Sequence, residues 1–445
     1  MLQSFQNCFK IPELRQRIIF TVGLMVVYRI GGQITVPGVD IQILREYFAG
    51  AGNTLFGLYD MFVGGAFTRA SIFALGIMPY ISASIIFQLL GSVIPHFQKL
   101  QREGEEGRKK ITQYTRYATV VLAAAQSFGV SYFLETINGL ESGLPAVANP
   151  GIGFILLTML TITTGTIFIM WLGEQITEHG IGNGISLIIF IGIVAELPFA
   201  IKSEWVNYLN NRGAGKNLIE ELFLVVIMLG VVAFVILLTQ GQRRIPVQYA
   251  KRVVGRRVYG GQATTIPLRI NTAGVIPIIF AQAIMFVPGT VTQMFPENEF
   301  MQIVGGYFTV DSMFYWFVYG LMIMFFAYFY TAIVMDPKQL SDTMKKHGGF
   351  IPGVRPGQKT AEHIDHIMTR ITLPGAIALA LVAIFPFFIA REFNVSPSFS
   401  QFFGGTGLLI IVGVALDTLQ QLESQLMTRH YEGFMKRGKI TGRRG

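Results

Sequence analysis

The chain has 445 residues, of which 51% are hydrophobic and 14% are charged, and its formal net charge is +9. Soluble domains carry about 25% charged residues, so this composition excludes an ordinary soluble protein and predicts an integral membrane protein. The single cysteine, Cys8, excludes an internal disulfide framework and a cysteine-based metal site.

Ten apolar segments along the chain are long enough to cross a bilayer. A transmembrane helix needs about 20 mostly apolar residues. The predicted spans lie at 18–36, 71–94, 117–134, 152–172, 184–200, 218–239, 271–291, 312–335, 371–390 and 403–422. The sequence therefore predicts an all-α integral membrane protein with ten transmembrane helices.

A shorter apolar stretch, LFGLYDMFVGGAFTRA at 55–70, precedes the second span. Asp60 interrupts it and Gly64 and Gly65 break it, so we expect a half-length helix that cannot span the membrane. The two glycines accept the backbone angles of a hinge at low steric cost. The charges of Asp60 and Arg69 favour a watery funnel over lipid as the surroundings of this stretch.

Basic residues indicate the orientation of the chain. Of the 35 lysines and arginines, 28 lie in the N-terminus, the tail and alternate connections, chiefly 95–116, 240–270 and 336–370. The positive-inside rule places these segments and both termini in the cytoplasm. If the halves are repeats, five spans in each give them opposite orientations, and a functional site is then expected between them near the midplane.

Ionisable side chains are scarce inside the predicted spans. Arg29, Glu174 and Asp417 lie toward span ends and are interpreted as helix-end or interface charges in preference to a proton relay. The spans contain instead glycine, proline and neutral polar residues, which permit close or kinked helix contacts. This pattern fits ordinary bundle packing, or a helix interface that can open without leaving a buried charge unpaired.

Two cytoplasmic connections are longer and more basic than orientation requires. Segment 240–270 has seven cations and no acidic residue, and its alternating apolar residues around Gly255 predict a hairpin. Segment 336–370 contains glycine and proline turns around Arg355. Cationic projections attract RNA phosphates, lipid head groups or acidic proteins, and the alternative is that both loops only fix topology.

No sequence pattern predicts catalysis, a cofactor or a metal. GIGNG at 180–184 follows no predicted strand, so it is interpreted as a tight turn and not as a nucleotide loop. HIDH at 363–366 is more typical of a solvated surface than of a metal site. No Walker motif or nucleophile–base arrangement is present, so we expect a protein that is not an enzyme.

Several long strings resemble the SecY family, whose members are the central subunits of protein-conducting channels. They are SIFALGIMPYISASIIFQLL (71–90), EGEEGRKKITQYTRY (103–117), WLGEQITEHGIGNGIS (171–186), GQRRIPVQYAKR (241–252), NTAGVIP (271–277), GGFIPGVRPGQKT (348–360) and FGGTGLLI (403–410). The match covers nearly the whole chain. It implies ten helices in two inverted five-helix halves that form a clamshell channel.

The resemblance also implies a division of the chain. The parts are a cytoplasmic N-terminus (1–17), an N-terminal half (18–200) with a plug at about 55–69, an external hinge (201–217), a C-terminal half (218–422) with cytoplasmic loops 240–270 and 336–370, and a cytoplasmic tail (423–445).

Three implied features would close the pore. A pore ring at the waist would consist of Ile77, Ile81, Ile185, Ile189, Ile276 and Ile410. The plug would include Phe56, Leu58, Asp60, Met61, Phe62, Gly64, Gly65 and Phe67. A lateral gate between spans two and three and spans seven and eight would include Ser82, Gln88, Gln126 and Gln282. Branched apolar side chains at a narrow waist hold little water and oppose ion leakage.

The implied partners follow from the basic loops and from the family. Cytoplasmic docking of the SecA motor ATPase or the ribosome would use Arg243, Arg244, Lys251, Arg252, Arg256, Arg257 and Arg355. SecE and SecG would complete a heterotrimer, and signal sequences, nascent polypeptides and anionic lipids would also bind. The implied location is the bacterial plasma membrane.

Three hypotheses follow for the function. The first is a passive channel that moves unfolded secretory polypeptides across the membrane and releases membrane segments sideways, with energy from SecA or the ribosome. The second is an ion-coupled secondary transporter with inverted repeats, which predicts central charges and small cytoplasmic loops. The third is a lipid-handling scaffold, which explains the basic loops but not the seam of glycine and proline.

Overall fold

The described part of the chain, in this computed structural model, is mostly helical. It comprises residues 11–50, 55–137, 144–211, 218–249, 252–254, 257–259, 263–294, 299–309, 312–393, 395–396, 399–400, 402 and 405–437. Each of the ten predicted spans coincides with a helix in this part.

Fifteen helices and five short strands make up this part. The N-terminal half contains α1 (Pro12–Gly31), α2 (Ile41–Gly50), α3 (Leu55–Val63), α4 (Met78–Val93), α5 (Pro95–Arg102), α6 (Glu105–Thr136), α7 (Ile152–His179) and α8 (Gly184–Asn211). The C-terminal half contains α9 (Leu218–Gln240), β1 (Gln242–Tyr249), β2 (Arg252–Val254), β3 (Arg257–Tyr259), β4 (Ala263–Arg269), α10 (Ile276–Met294), α11 (Glu299–Tyr307), α12 (Met313–Val334), α13 (Pro337–Lys346), β5 (Gly349–Phe350), α14 (Gln358–Glu392) and α15 (Thr406–Arg437).

Seven of the described helices are long and apolar enough to cross a membrane, or eight if α4 and α5, which are bent by 98° relative to each other, form one span. The two other predicted spans coincide with α1 and α10. Helix α1 carries charged side chains at both ends, including Glu13 and Arg29, and the apolar part of α10 is the short stretch Ile276–Met285. The protein is thus a multi-pass helical membrane protein.

Two spans begin later than the sequence predicted. Residues 71–77 form turns before α4, and residues 271–275 form turns before α10. Gly76 and Gly274 have φ angles of +54° and +62°, which a right-handed helix excludes. Hydropathy placed both segments in spans because they are apolar, although their backbone is irregular.

Several spans continue beyond their predicted ends, most of all those of α8 and α15. Helix α8 runs through Asn211, so the predicted external hinge at 201–217 begins as helix, and its residues 212–217 lie outside the described residues. Helix α15 runs through Arg437, so most of the predicted tail is helical.

The predicted tight turn at GIGNG is confirmed. Gly182 has a φ angle of +82°, and the Asn183 side chain accepts hydrogen bonds from the backbone N–H groups of Ile185 and Ser186 at 3.1 and 3.3 Å. Asn183 therefore caps the N-terminus of α8, as asparagine commonly does.

The two halves pack their helices in the same order. In the N-terminal half, α4 packs on α6, α6 on α7, α7 on α8, and α1 on both α7 and α8. In the C-terminal half, α10 packs on α12, α12 on α14, α14 on α15, and α9 on both α14 and α15. The halves are therefore structural repeats of five long helices each.

The halves meet along two seams. We call the contact of α4 and α6 with α10 the front seam, and the contacts of α8 with α15 and with the segment after α14 the back seam. One large apolar cluster extends through both halves and includes side chains from α4, α8, α10 and α15.

The two basic loops form one small β structure. Strand β1 pairs antiparallel with β4, which confirms the predicted hairpin, and β2 pairs with β3. Strand β1 also pairs with β5 of the second loop, giving the order β4-β1-β5. Beneath this sheet, Val247, Leu268 and Ile364 belong to a separate apolar core, so the two loops fold together.

Candidate functional site

The two helices that meet at the front seam, α4 and α10, begin in corresponding ways. Ile77 immediately precedes α4, and Ile276 is the first residue of α10. Each follows a turn segment that contains a left-handed glycine, Gly76 or Gly274. Interrupted helices at matching positions of two repeats indicate a functional site between the repeats.

The candidate ring isoleucines all belong to one apolar cluster. Ile77, Ile81, Ile189 and Ile410 are buried in it, and Ile185 and Ile276 pack against it while partly exposed. Both halves contribute to this set, since α4 and α8 belong to one half and α10 and α15 to the other. That these side chains form a ring around a pore stays a prediction.

A polar cavity of 620 Å³ opens next to Ile276. Its lining comes from both halves and is rich in neutral polar side chains, among them Asn183, Ser186, Asn271 and Thr418. It lies on the side of the molecule where strand β4 ends, because Arg269 also lines it. Sequence patterns could not locate this cavity, because its lining combines distant segments of the chain.

The half-length helix is present as α3, Leu55–Val63. The side chains of Phe56 and Leu58 lie outside the described residues, whereas Met61, Phe62 and Phe67 are buried in the large cluster. After the helix, Gly64 and Gly65 have φ angles of +70° and +77°, which favour glycine. Helix α3 packs chiefly on α8 and also touches α10.

Asp60 closes the turn that follows α3. Its Oδ1 accepts hydrogen bonds from the backbone N–H groups of Phe67 and Thr68 at 2.8 and 3.0 Å, and its Oδ2 accepts one from the Thr68 hydroxyl at 2.9 Å. Burial raises the pKa of the Asp60 carboxyl to about 6, against the opposing effect of the hydrogen bonds from Thr68. Asp60 is therefore a structural acceptor that closes this turn while remaining partly exposed. That it faces a watery funnel stays a prediction.

Charged side chains of the first half surround the end of α3. Arg29 of α1 donates from Nη1 to the Gly64 carbonyl at 2.7 Å. The Glu196 Oε1 of α8 lies 3.5 Å from Arg29 Nη2 and 3.9 Å from Arg69 Nη2. Sequence reasoning interpreted Arg29 as a helix-end charge and overlooked Glu196, a single acid in a strongly apolar span.

The candidate gate residues do not share one environment. Ser82 and Gln88 of α4 are half-buried, and Gln88 donates to Ser84 of its own helix at 3.3 Å. Gln126 of α6 has a buried Oε1 with no hydrogen-bond partner in the described part of the chain. Gln282 of α10 lines a cavity of 10 Å³ together with Tyr319 and other side chains of α12 and α14, inside the C-terminal half.

The candidate docking cations are exposed where they are described. Arg243 and Arg244 lie exposed on β1. Arg355 is exposed in a turn, and its backbone carbonyl accepts a hydrogen bond from the Thr360 hydroxyl at 2.9 Å. Since β1 pairs with β5, the two loops that carry these cations are joined in one sheet. Lys251 and Arg256, and the side chains of Arg252 and Arg257, lie outside the described residues.

The other ionisable residues singled out by sequence are paired with arginines, and Asp417 lies inside α15 and not at its end. Glu174 accepts two hydrogen bonds of 2.8 Å from Arg116, and Asp417 lies 3.9 Å from Arg269. Among the described residues, no group of three histidine, cysteine or acidic side chains is arranged to hold a metal ion.

Comparison with known proteins gives consistent matches. The SecY family model matches residues 71–419. The protein translocase subunit SecY of Thermus thermophilus is 46% identical over the full length of both chains. A solved SecY structure, described as showing that the plug domain stabilises the closed state and maintains a membrane seal, covers 92% of both chains with a TM-score of 0.59 at 20% identity. Sec61 in a canine ribosome–channel complex also covers 92% of both chains, with a TM-score of 0.58 at 17% identity.

Proposed function

This chain belongs to the SecY family, and from that premise we propose that it forms the central subunit of a protein-conducting channel. The channel moves unfolded secretory polypeptides across the membrane and releases membrane segments sideways into lipid. One observation carries the proposal: isoleucines at the starts of two corresponding helices, Ile77 and Ile276, meet one apolar cluster beside a polar cavity lined by both halves.

In the proposed mechanism, the pore ring and the plug close the channel together. Ile77, Ile81, Ile185, Ile189, Ile276 and Ile410 form the ring. Their branched apolar side chains exclude water and ions, and they can deform around a passing chain without binding it. We call α3 with the turn at 64–70 the plug. It seals the ring by burying Met61 and Phe62 in the same cluster.

The 620 Å³ cavity serves as the entrance to the pore. Its neutral polar lining offers hydrogen bonds to an extended polypeptide without a strong charge that would retain particular sequences. Arg269 and Asp417, the charged residues in the described lining, lie 3.9 Å apart, so their opposite charges largely cancel. A chain in this cavity would reach Ile276, and thus the ring, directly.

Sideways release would use the front seam. Among the described residues, no hydrogen bond or ion pair joins residues 276–285 of α10 to α4 or α6, so an apolar signal helix could replace these contacts with similar ones. Ser82, Gln88 and Gln126 would lie along this gate. Gln282 is assigned to the gate only because it lies on α10. Its side chain lines the small cavity inside the C-terminal half.

The proposed partners follow from the family and from the basic surface. We infer that SecE and SecG complete the complex in a bacterial plasma membrane, with both termini cytoplasmic, and that the chain divides into halves at the 201–217 connection. Anionic lipids would contact the basic connections. SecA or the ribosome would supply energy by docking on the surface formed by both loops, where Arg243, Arg244 and Arg355 are exposed.

A cross-linking experiment tests the channel. Photoreactive amino acids are placed at Ile81 and at Ile276 in the reconstituted complex, with a control at Leu229, which is 64% exposed on α9. A precursor arrested during transport should cross-link at the first two positions and not at the third. Transport without cross-links at Ile81 and Ile276 would contradict the pore, and substrate-dependent proton or sodium flux would support the secondary transporter.

A charge reversal tests the docking surface. Arg355→Glu should reduce binding of SecA and of ribosomes, and with it the translocation rate, by about tenfold, since it replaces attraction to a polyanion by repulsion. Lys202→Glu is the control, because Lys202 is also exposed but lies on α8 in the predicted external connection, outside both loops. Equal effects of the two variants in a co-sedimentation assay would show that overall charge, and not this turn, drives docking.

A further inference from the structure

The plug is attached by polar contacts to one half of the molecule. Building on the proposed function, we propose that Glu196 is a positioning residue that clasps the plug to the N-terminal half, together with Arg29 and Arg69. No catalytic or transport step is assigned to Glu196. It acts by holding the plug beneath the ring.

Three charged groups meet at the end of the plug. Arg29 connects the plug to Glu196. Its Nη1 donates to the Gly64 carbonyl at 2.7 Å, and its Nη2 lies 3.5 Å from Glu196 Oε1. Arg69, at the other end of the plug turn, approaches the same carboxylate oxygen to 3.9 Å. A single carboxylate on α8 thus balances one cation from α1 and one from the plug itself.

Glycines make the approach of the plug to α8 possible. A Cβ atom at Gly65 would lie 2.6 Å from Glu196 Oε1, and one at Gly64 would lie 2.6 Å from Arg29 Nη1. On the facing helix, a Cβ atom at Gly192 would lie 2.8 Å from the Phe62 carbonyl. Three positions on two elements therefore lack a side chain where the plug, the helix and the charged groups meet, as expected of a built contact.

The clasp has unused hydrogen-bonding capacity. Glu196 Oε1 and Arg69 Nη1 are buried, and neither has a hydrogen-bond partner in the described part of the chain. Their ion pairs, at 3.5 and 3.9 Å, are longer than hydrogen bonds. The carboxylate is thus attracted to both cations without being locked to either, and such a contact can hold the plug and still release it.

The polar contacts described for the end of the plug come from helices of the N-terminal half. Tyr28 of α1 adds a hydrogen bond of 3.3 Å from its hydroxyl to the Val63 carbonyl, beside the contacts of Arg29 and Glu196. These three residues belong to α1 and α8 of the N-terminal half. When the front seam parts, the plug therefore remains with the N-terminal half until the clasp breaks, so that gate opening and plug release are separate steps.

Neutralisation of Glu196 tests the clasp in the reconstituted full complex. The readouts are the resting ion conductance in planar bilayers, and the labelling rate of an Ala66→Cys thiol, in a Cys8→Ser background, by a membrane-impermeant maleimide. Ala66 is 1% exposed in the seated plug. Glu196→Gln should raise both readouts by about threefold to tenfold, as expected for the loss of a partly screened ion pair beside a charged hydrogen bond.

Matched variants separate the clasp from general damage. Glu196→Asp keeps the charge and should restore both readouts at least in part, whereas Glu46→Gln, on an exposed position of α2, should change neither. If Glu196→Gln does not assemble, Arg69→Gln provides the same test from the other side of the ion pair. Parental labelling and conductance in an assembled Glu196→Gln or Arg69→Gln complex would overturn the clasp.

Translocation assays on the same reconstituted complexes distinguish the two proposals. If the parent complex fails to translocate a precursor, the proposed channel function is contradicted. If the parent translocates while the Glu196 and Arg69 variants leave plug labelling unchanged, only the clasp is contradicted.

Discussion

The two seams between the halves differ in chemistry. At the front seam, no hydrogen bond or ion pair among the described residues joins residues 276–285 to α4 or α6, although α6 carries the buried amide oxygen of Gln126. At the back, polar bonds join α8 to the segment after α14. The Ser203 and Ser396 hydroxyls lie 2.8 Å apart, and Glu204 Oε2 accepts the Ser396 N–H at 2.6 Å.

This difference determines which seam can open. In a membrane, apolar helix contacts can be exchanged for lipid contacts at little cost, because lipid tails are as apolar as the side chains. Opening the back seam would instead break the hydrogen bonds of Ser203 and Glu204. Glu204 is only 4% exposed, so water does not already compete for its carboxylate. The comparison therefore predicts a hinge at the back seam and a gate at the front seam.

Removal of the buried carboxylate should have the largest effect on the back seam. Glu204→Ala leaves the Ser396 N–H without its acceptor and should lower the free energy of unfolding by about 1–3 kcal/mol. Denaturation of the purified complex measures this change, and Glu204→Gln, which keeps an acceptor oxygen, should lose less. If Glu204→Ala costs no more than Glu46→Ala on exposed α2, the back seam is not held by this contact.

The sequence predicted the number and order of the long helices because hydropathy depends on composition within one segment. It failed where apolar residues adopt an irregular backbone. Residues 71–77 and 271–275 have the hydropathy of a span, yet left-handed Gly76 and Gly274 delay α4 and α10. The family resemblance located the candidate ring beside these two starts, which hydropathy alone could not do.

Contacts between distant segments were the part of the site that the sequence could not supply. Glu196 is one acid in an apolar span, and its partner Arg29 lies on the first helix. Strand β5 has two residues, too few for a periodic pattern, yet it joins the two basic loops by pairing with β1. Gln282 was assigned to the gate by its helix, whereas its side chain lines a cavity with Tyr319.

A substitution in α6 sharpens the comparison at the front seam. Gln126 has a buried Oε1 without a hydrogen-bond partner among the described residues, and α6 packs on α10. Gln126→Leu removes this unsatisfied atom and should stabilise the closed state by about 1 kcal/mol. Signal-sequence-driven opening should therefore slow by about fivefold, as measured by the translocation of a precursor with a weak signal sequence.

Gln282→Leu is the matched control for this prediction. It makes the same chemical change on α10, but at a side chain that lines the small cavity inside the C-terminal half. It should leave the dependence on signal strength unchanged. Equal slowing by both variants would mean that the closed state responds to the loss of any buried polar side chain, and not specifically to one at the front seam.

An effect smaller than that of Glu204→Ala separates the two bonds at the back seam. Ser396 contributes its hydroxyl to Ser203 and its backbone N–H to Glu204, so Ser396→Ala removes the first bond and leaves the second. Ser203→Ala and Ser396→Ala should each cost about 0.5–1.5 kcal/mol. Because both remove the same bond, the double variant should cost about as much as either one alone. Additive costs in a double-mutant cycle would show that the hydroxyls do not interact, and the hinge would then depend on Glu204 and apolar packing.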